Sequence, residues 1–513
     1  MTRRIFLKHG LGLAATGLVT RALPPALAFA GTGSPRSAAA QDGVPLERLR
    51  AAVDEQSAVI LRPGQEQFAR YQRYASCNSL VAASPKARVL CKTPHGVAAT
   101  IKWARENNVP FSIRGGGHSF ETLSQSDSVV IDMRLMTDIR FEPEMRRVSV
   151  GGGALLGEIY AALAEKQQTL PAGSCPQVGI AGHALGGGYG LLARPFGLAC
   201  DSLLSLEVVD AQGQTLTASA DENADLFWAC RGGGGGSFGV VTRLDFQTRA
   251  LSKALRFALD WDGGRRGIPA RQAVEVMAAW QAWAPSAPDE ITSIIRLQGA
   301  PEGGLVVRCI GLSTKLDAAW LAAQLSPLLR TRPARRSTPP AEGYAALARR
   351  FAGPPHRLTG ALDDREFFKP LFIKAKSDYV TGPMSERGIE ALMQGLEQAR
   401  MVSAICDAYG GAVARLAPDA TAFAHRGATR YGILYYAEWS NNAVTAARLR
   451  DLRALHAAMR PYVSGAAYVN YADTDLTDWP AAYWGRNLER LKRIKSRYDP
   501  DNVFRHAQSV PLS

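Results

Sequence analysis

Two glycine-rich stretches place nucleophilic side chains among backbone amides that no side chain covers. The first consists of Arg114, Gly115, Gly116, Gly117, His118 and Ser119. The second runs from Gly173 to Gly190 and contains Ser174, Cys175, Val178, Gly179, Gly182, His183 and Gly188. Uncovered N–H groups can cradle a pyrophosphate, and an imidazole or a thiolate held there would face the bound molecule. Either stretch could also be no more than a set of tight turns.

Two common nucleotide-binding motifs can be tested against the sequence. The G-x-G-x-x-G match at Gly234 to Gly239 is followed by Val240, Val241 and Thr242, a run typical of a strand. The Rossmann fingerprint must instead open a helix, so we expect no Rossmann-type binding here. The G-x-x-x-x-G-K-[ST] phosphate loop does not occur in the sequence.

The seven cysteines show neither C-x-x-C pairs nor the spacing of metal ligands. We therefore expect no metal site and no disulfide framework. Most of these residues are expected to be buried thiols, with a Cys77–Cys91 disulfide as the alternative. Cys175 stands apart because it lies in a glycine-rich stretch.

Alternating strand and helix patterns surround both stretches. Strands are predicted at 89–90, 111–113, 129–131 and 148–150, and helices at 96–107 and 155–166. Further strands are predicted at 204–209, 215–218 and 240–246. Beyond residue 251, helices at 271–284, 316–329 and 385–398 accompany strands at 291–298, 305–310 and 430–438. The sequence thus predicts an α+β protein with two domains, a mixed α/β domain at 44–250 and a second domain with an antiparallel sheet at 251–479.

The N-terminus carries an export signature. Arg3-Arg4 is followed by an apolar stretch from Leu11 to Val19 and an Ala28-Phe29-Ala30 cleavage site. Residues 1–30 are therefore predicted to be a twin-arginine signal peptide, and residues 31–43 a flexible mature N-terminus. The apolar stretch is too short to span a membrane. We expect a periplasmic or secreted protein that the twin-arginine machinery exports already folded.

Charge gives little indication of a macromolecular partner. The formal net charge is +14, and the basic residues are dispersed apart from short runs such as Arg330 to Arg336. No nucleic-acid motif accompanies them, so a nucleic-acid partner is not expected. The run from Arg490 to Arg497 alternates with apolar residues at helical spacing and predicts the solvated face of a packed helix.

Four segments, taken in order, resemble the FAD-linked oxidases of the vanillyl-alcohol oxidase (PCMH-type) fold, specifically the berberine-bridge-enzyme-like branch. They are 114–119, 173–190, 221–242, and a terminal region that includes Tyr468-Val469-Asn470-Tyr471-Ala472-Asp473, Tyr483-Trp484-Gly485-Arg486-Asn487 and Tyr498-Asp499-Pro500. The resemblance covers nearly the whole chain after the signal peptide. It implies that residues 480–513 form a C-terminal segment that returns to complete the FAD domain.

The resemblance also implies which residues hold FAD. His118 matches the histidine joined to the flavin 8α-methyl group and Cys175 the cysteine joined to flavin C6, so FAD is expected to be bound covalently at both. Val178 matches the residue that lines the approach of oxygen, where a small side chain is associated with oxidase activity. The remaining cofactor-binding residues that the matching segments imply are Arg114, Gly115, Gly116, Gly117, Ser119, Gly173, Ser174, Gly179, Gly182, His183, Gly188, Val240, Asn470 and Asn487.

Removal of a hydride from an alcohol carbon needs a group that accepts the hydroxyl proton. The resemblance assigns that role to Tyr468 and a second active-site contact to Tyr189. The family often has Gln or Glu in the middle of a strand facing the flavin, whereas this chain has Leu434, which cannot accept a proton. Tyr436 and Glu438 share the face of Leu434 on a strand of period two, so either is an alternative base.

The expected function is that of an exported FAD-dependent oxidase. It would take a hydride from the hydroxyl-bearing carbon of a sugar or other alcohol and pass the electrons to O2, which gives H2O2. Oxidative cyclisation or desaturation of a secondary metabolite is the alternative, because it needs the same hydride step. A non-catalytic exported binding protein is the third hypothesis.

Overall fold

The computed structural model describes residues 44–351, 356–357, 366–367 and 371–513. The predicted signal peptide and mature N-terminus lie outside these residues. Within the described part of the chain, no helix is both long and apolar enough to cross a membrane.

A four-stranded sheet opens the described chain. Its strands are β1 (Ala58–Leu61), β2 (Ala87–Cys91), β3 (Phe111–Arg114) and β4 (Val129–Asp132), in the order β1-β2-β4-β3. Strands β2 and β3 run parallel to β4, and every residue of β2 and β4 is buried, as expected of parallel strands covered on both faces. The helices of this region are α1 (Leu46–Ala52), α2 (Glu66–Arg73) and α3 (Pro94–Glu106).

A five-stranded sheet follows. Its strands are β5 (Ile139–Glu142), β6 (Arg147–Gly151), β8 (Leu203–Val209), β9 (Thr215–Ser219) and β10 (Val240–Gln247), in the order β5-β6-β10-β8-β9. A separate short pair joins β7 (Gln168–Thr169) to β11 (Arg249–Ala250). The helices are α4 (Leu156–Ala164), α5 (Ile180–Leu185), α6 (Ala193–Phe196) and α7 (Ala224–Ala229). The glycines before β10 form turns that lead into a strand, so they do not open a helix, as predicted.

The second half of the chain is built on a seven-stranded antiparallel sheet. Its strands are β12 (Leu255–Trp261), β13 (Ile291–Gly299), β14 (Leu305–Ser313), β15 (Arg335–Ser337), β18 (Phe372–Val380), β19 (Val402–Ala408) and β20 (Tyr431–Trp439), in the order β15-β12-β14-β13-β19-β20-β18. A two-stranded pair joins β16 (His356–Arg357) and β17 (Glu366–Phe367). The helices are α8 (Ala270–Trp283), α9 (Ala318–Gln324), α10 (Ser326–Leu329), α11 (Tyr344–Phe351), α12 (Glu386–Gln398), α13 (Gly411–Arg415) and α14 (Thr445–Met459).

Helices α8, α12 and α14 cover one face of the seven-stranded sheet. Their apolar residues form one core with alternate residues of β13, β19 and β20, including Ile295, Cys406 and Ile433. Because side chains alternate along a strand, Asp407 and Leu434 lie on the opposite face. That face is the one available to the candidate site.

The C-terminal segment contains α15 (Trp479–Trp484) and α16 (Leu488–Tyr498) and returns to the first half of the chain. Trp484, Leu491 and Val510 lie in the same apolar core as Val148 and Phe246 of the five-stranded sheet. The predicted return of this segment is therefore confirmed.

One helix prediction was wrong, and another was confirmed except at one residue. The helix predicted at 316–329 is divided into α9 and α10, because Pro327 lies in the first turn of α10 and has no N–H to continue a helix. On α16, Arg490, Arg493 and Arg497 are exposed, as predicted for a solvated face. Lys495 is the exception: it is fully buried, and its Nζ donates to the Ser237 and Phe504 carbonyls and to Asp499.

Candidate functional site

A cavity of about 300 Å3 lies where the two glycine-rich stretches, the turns before β10 and the C-terminal segment meet. His118, Val178, His183 and Tyr468 are among the side chains that line it. Glycines at 115–117, 179, 182 and 233–236 contribute backbone to the wall, and apolar side chains such as Ile113 and Leu185 line other parts of it. A cavity lined by apolar side chains, convergent polar side chains and glycine backbone suits a small-molecule cofactor.

The two glycine-rich stretches contact each other backbone to backbone. A Cβ atom on Gly116 would lie 2.3 Å from the Gly179 nitrogen, and a Cβ atom on Gly179 would lie 2.4 Å from the Gly116 nitrogen. Gly117 has a φ of +74°, and a Cβ atom there would lie 2.4 Å from the Ala75 oxygen. Glycine is therefore needed at these positions for the chain to reach this geometry.

The same wall contains glycines with open space beside them. A Cβ atom on Gly182 would have no neighbour within 4 Å, and those on Gly115 and Gly235 would have none nearer than 3.8 Å. Among the described residues that line the cavity none is Asp or Glu, and Arg505 adds a positive charge. Uncovered amides without carboxylates suit an anionic pyrophosphate, so the residues present fit FAD.

Arg114 supports the first stretch from behind and does not line the cavity. It is fully buried, its Nε donates to the Ala75 carbonyl (2.8 Å), and its Nη1 contacts Asp132 (3.3 Å). Burial acts to raise the pKa of Asp132, but Arg134, Arg114 and Arg88 together hold that pKa well below its usual range. The stretch is thus anchored on a buried, ionised cluster.

The two histidines of the site are neutral at physiological pH. Burial lowers the pKa of His118 to about 4, and nearby Arg114 adds to the effect. Burial, with a smaller effect of His118, also lowers the pKa of His183 to about 4. His183 Nε2 accepts a hydrogen bond from the Gly173 amide (2.8 Å), which ties α5 to the start of its stretch. His118 lines the cavity as a neutral imidazole, the form that can act as a nucleophile.

Cys175 is half-buried on the loop that leads to Val178 and is not among the residues that line the cavity. Its Sγ lies 3.9 Å from Gln177 Oε1, and burial raises its pKa to about 11. All seven cysteines are free thiols. The alternative of a Cys77–Cys91 disulfide was therefore wrong.

Three donors converge on the Tyr468 hydroxyl oxygen. They are the Gly188 amide (2.9 Å), the Tyr189 amide (3.2 Å) and Asn470 Nδ2 (3.0 Å). In the described part of the chain, no acceptor receives a hydrogen bond from this hydroxyl. Burial raises the pKa of Tyr468 to about 12, and the three donors oppose that rise. Three N–H groups match the three lone pairs of a phenolate better than those of a phenol.

The other two residues proposed for catalysis are placed differently. Tyr189 lines the cavity, but its hydroxyl donates to the Ala408 carbonyl (2.8 Å) and its ring stacks on Tyr409. Glu438 is exposed on β20, where it accepts a hydrogen bond from the Tyr436 hydroxyl (2.8 Å).

Several predicted cofactor-binding residues lie outside the cavity wall. They are Arg114, Gly173, Ser174, Cys175, Gly188, Val240 and Asn487. Asn487 is turned away, because its Nδ2 donates to the carbonyls of Pro418, Thr421 and Ala422. Asn470 does line the cavity, and its Nδ2 also donates to the His183 carbonyl (2.9 Å).

A buried ionic cluster behind the cavity was not identified from the sequence. Lys374 of β18 contacts Glu121 (2.5 Å) and Asp473 (2.9 Å), and Lys376 contacts Asp473 (2.7 Å). Glu121 lies three residues after His118, and Asp473 lies two residues after Tyr471. The cluster therefore fixes both site segments to the seven-stranded sheet, and nothing in the local sequence indicates this pairing.

Two further groups of residues at the site were also not identified from the sequence. Phe504, Arg505, His506 and Gln508 line the cavity from the last residues of the chain. Asp407, on β19, contacts the cavity-lining Tyr471. The sequence gives one sign that Asp407 is unusual: it is an acidic residue within a run that is otherwise typical of a buried strand.

Comparisons with known proteins agree with this geometry. Residues 85–219 match the FAD binding domain family, and residues 467–511 match the family described as berberine and berberine like. The chain is 35% identical to the uncharacterized FAD-linked oxidoreductase YgaK of Bacillus subtilis, over 83% of this chain and 91% of that protein.

Solved structures show the same fold. Physcomitrella patens BBE-like 1 superposes with a TM-score of 0.81 at 30% identity, covering 91% of this chain and 99% of the other. A Phl p 4 variant described as a glucose oxidase has a TM-score of 0.79 at 26% identity, with the same coverage of both chains. The chain therefore belongs to the berberine-bridge-enzyme-like family of FAD-linked oxidoreductases with the PCMH-type fold.

Proposed function

We propose that this enzyme is an oxidase that removes a hydride from the hydroxyl-bearing carbon of a sugar or other alcohol and transfers the electrons to O2. The observation that carries the proposal is the set of three donors on the Tyr468 oxygen. The donors stabilise the phenolate form against the effect of burial, and a Tyr468 phenolate can accept the hydroxyl proton of the substrate. The Phl p 4 relative described as a glucose oxidase supports an alcohol as the substrate.

The cofactor and the residues of the site have distinct roles in this proposal. FAD, when bound, supplies the hydride acceptor and a two-electron route to O2. The glycine amides at 115–117 and 182 hold its pyrophosphate, His118 and Cys175 hold its ring, and Tyr468 receives the substrate proton. Anaerobic mixing of the purified protein with a panel of sugars and alcohols tests the proposal. Bleaching of the flavin absorbance, followed by peroxide formation in air, is the expected result.

The covalent attachment can be measured directly. The intact mass of the exported protein should equal that of the chain from Gly31 plus one FAD. Peptides that contain His118 and Cys175 should be cross-linked through the flavin, because both residues lie in loops at the cavity and His118 is a neutral nucleophile. In the His118→Ala variant, attachment through Cys175 alone should remain. Release of all flavin from the unmodified protein by acid would contradict the prediction.

The acceptor of the electrons depends on Val178. This side chain is half-buried and lines the cavity next to the contact between Gly116 and Gly179. An added methylene should obstruct a path that is just wide enough for a diatomic gas. Val178→Leu is therefore expected to slow reoxidation of the reduced flavin by air by about 10-fold or more, while anaerobic reduction stays nearly unchanged.

Stopped-flow reoxidation of the two reduced proteins measures this effect. If Val178 only packs the loop, the substitution will alter thermal stability and leave the oxygen step unchanged. Equal reoxidation rates in both proteins would therefore rule out a gating role for Val178.

A further inference from the structure

Asp201 and Arg426 form a buried ion pair that joins the first half of the chain to the second. Arg426 Nη1 lies 3.0 Å from Asp201 Oδ2, and Nη2 lies 2.5 Å from Oδ1, so the guanidinium contacts both carboxylate oxygens. The two side chains are almost completely buried, at 0% and 7% exposure. Neither residue lines the cavity. A two-point contact of this kind is strong and fixes the orientation of both partners.

On the first half of the chain, the pair holds a turn at 198–202 against the second glycine-rich stretch. Asp201 Oδ2 also accepts the Leu198 amide (2.9 Å), which closes the turn. The next two amides of the turn donate to carbonyls of the glycine-rich stretch: Ala199 to Gly188 (3.0 Å) and Cys200 to Gly187 (2.9 Å). The position of the Asp201 carboxylate therefore determines where these two glycine carbonyls lie.

The same two peptide groups carry the amides that bind the proposed base. The Gly187 carbonyl shares a peptide plane with the Gly188 N–H, and the Gly188 carbonyl shares one with the Tyr189 N–H. In a planar trans peptide, fixing the carbonyl also fixes the direction of the N–H on the opposite side. Those two N–H groups donate to the Tyr468 oxygen at 2.9 and 3.2 Å. The turn thus holds each peptide group from behind while its N–H faces Tyr468.

The glycines need this external support. Gly187 and Gly188 have φ values of +114° and +85°, in the region that glycine enters readily because it has no Cβ atom. The same freedom would allow their peptide planes to rotate if no bond held the carbonyls. The hydrogen bonds from the turn restrict that rotation, so they determine whether the two amides point at Tyr468.

Arg426 supports the loop by a second route. Its guanidinium lies over the Phe423 ring, with 5.3 Å from Cζ to the ring centroid. The Phe423 ring packs edge-on against the Tyr468 ring, with 5.9 Å between the centroids. A Cβ atom on Gly187 would lie 2.8 Å from Phe423 Cδ2, so the ring also contacts the glycine loop. One ion pair therefore supports both the phenol and the peptide groups that bind its oxygen.

We propose that Asp201 and Arg426 are positioning residues for Tyr468: the pair directs the Gly188 and Tyr189 amides at the Tyr468 oxygen and so keeps Tyr468 able to accept the substrate proton. The inference rests on the proposed oxidase function, in which Tyr468 is the base. Both residues act through the turn and the glycine loop, at a distance from the substrate.

The surroundings of Tyr468 make these amides decisive. The titratable side chains around it in the described chain are Tyr379, Tyr409, Tyr471 and Cys200. Burial raises the pKa of each of the four, so all are neutral at pH 7. Burial also raises the pKa of Tyr468 itself, and the amide donors oppose that rise. Displacing the donors should therefore make Tyr468 ionise at higher pH.

The first test follows this ionisation in the holoenzyme without a substrate. Tyr468 is replaced by 3-fluorotyrosine, whose ¹⁹F resonance moves when the phenol ionises and whose fluorine brings the ionisation to lower pH. Asp201→Asn should then raise the midpoint of the titration by about 1 pH unit. Asparagine has one acceptor oxygen where Asp201 uses two, so its N–H group would face a donor and loosen the turn.

A matched control and a milder variant accompany this measurement. Asp245 is also a buried carboxylate of the first half, but it accepts from the Ser205 hydroxyl (2.7 Å) away from the cavity wall. Asp245→Asn should leave the midpoint unchanged. Arg426→Lys keeps the charge but cannot contact both carboxylate oxygens in the same way, so it should raise the midpoint by less than Asp201→Asn.

A further variant leaves the ion pair intact, because loss of one buried partner can prevent folding. Ala199→Pro removes the N–H that donates to the Gly188 carbonyl. Ala199 is the first residue of a short helical turn, and the preceding Leu198 is extended, so proline fits the backbone there. This variant should also raise the midpoint, and its flavin content reports whether the protein has folded.

Flavin reduction supplies the second test. With glucose, cellobiose and benzyl alcohol as probes, Asp201→Asn should slow anaerobic reduction by about 10-fold at pH 7. The deficit should become smaller as the pH rises, because residue 468 then ionises in the variant as well. A purely structural defect would slow reduction by the same factor at every pH.

The outcomes separate the inference from the function on which it rests. An unchanged midpoint in a flavin-containing Asp201→Asn protein or in Ala199→Pro would overturn the positioning role, and so would a deficit that is independent of pH. A raised midpoint in a protein whose flavin none of the three alcohols reduces would count against the oxidase proposal and support control of Tyr468 by the pair.

Discussion

Replacing Tyr468 with phenylalanine should slow reduction of the bound flavin by substrate by about 10²- to 10⁴-fold. The substitution removes the oxygen on which the Gly188 amide, the Tyr189 amide and Asn470 converge. It keeps nearly all of the side-chain volume, so the fold should persist. Loss of the shared acceptor leaves three donors without their partner, which should lower the free energy of unfolding by about 1–3 kcal/mol. Anaerobic stopped-flow absorbance at the flavin band measures the rate.

A control must separate loss of the base from loss of a buried hydroxyl. Tyr344→Phe serves this purpose, because the Tyr344 hydroxyl is buried and donates to the Ala172 carbonyl (3.3 Å) outside the cavity wall. It should reduce stability slightly and leave the rate of flavin reduction unchanged. If Tyr468→Phe also leaves that rate unchanged, another group accepts the proton, and Glu438 is the next residue to substitute.

Gly116→Ala should abolish flavin retention. The new Cβ atom would lie 2.3 Å from the Gly179 nitrogen and 2.8 Å from its Cα atom, and neither backbone can move without separating the two loops. Overpacking of this kind costs about 1–3 kcal/mol or more, and here the displacement falls on the loop that carries His118. The ratio of flavin to protein absorbance in the purified variant measures the loss, and the melting temperature reports the strain.

Two other glycines provide matched comparisons. A Cβ atom on Gly382 would meet nothing within 4 Å, so Gly382→Ala should bind flavin as the unmodified protein does. Gly182→Ala likewise clashes with no protein atom, but Gly182 lines the cavity, so its methyl group should weaken cofactor binding without destabilising the chain. Full flavin content in Gly116→Ala would show that the contact between the loops tolerates a methyl group.

Much of the fold follows from local sequence patterns. Runs of β-branched residues such as Val129 to Ile131 correspond to a buried strand, and the helix predicted at 385–398 begins where the Ser385 side chain accepts from the Gly388 amide. The errors arise where tertiary contacts override a local pattern. Lys495 has the spacing of a surface residue, yet it is buried. Its Nζ donates to Asp499 and to the Phe504 carbonyl close by in the sequence, and also to the Ser237 carbonyl, which comes from another part of the fold.

The candidate site was predictable where its function depends on short-range geometry. The stretch from Gly115 to His118 indicates an anion-binding loop because glycine exposes the amides next to the histidine. Asp407 could not be found in this way, because its contact with the cavity-lining Tyr471 joins residues that are 64 positions apart. That information exists only once β19 lies between β13 and β20.

The cavity wall makes cofactor binding depend on segments that lie far apart in the sequence. Residues from Phe111 near one end of the described chain and from Phe504 to Gln508 near the other line the same cavity. Lys495 holds the turn at Ser237 to the Phe504 carbonyl, so the wall is complete only when the final residues have folded back. Flavin binding therefore requires residues 504–508 to have folded back onto the glycine loops, and removal of residues 504–513 should have the same effect as a defect in those loops.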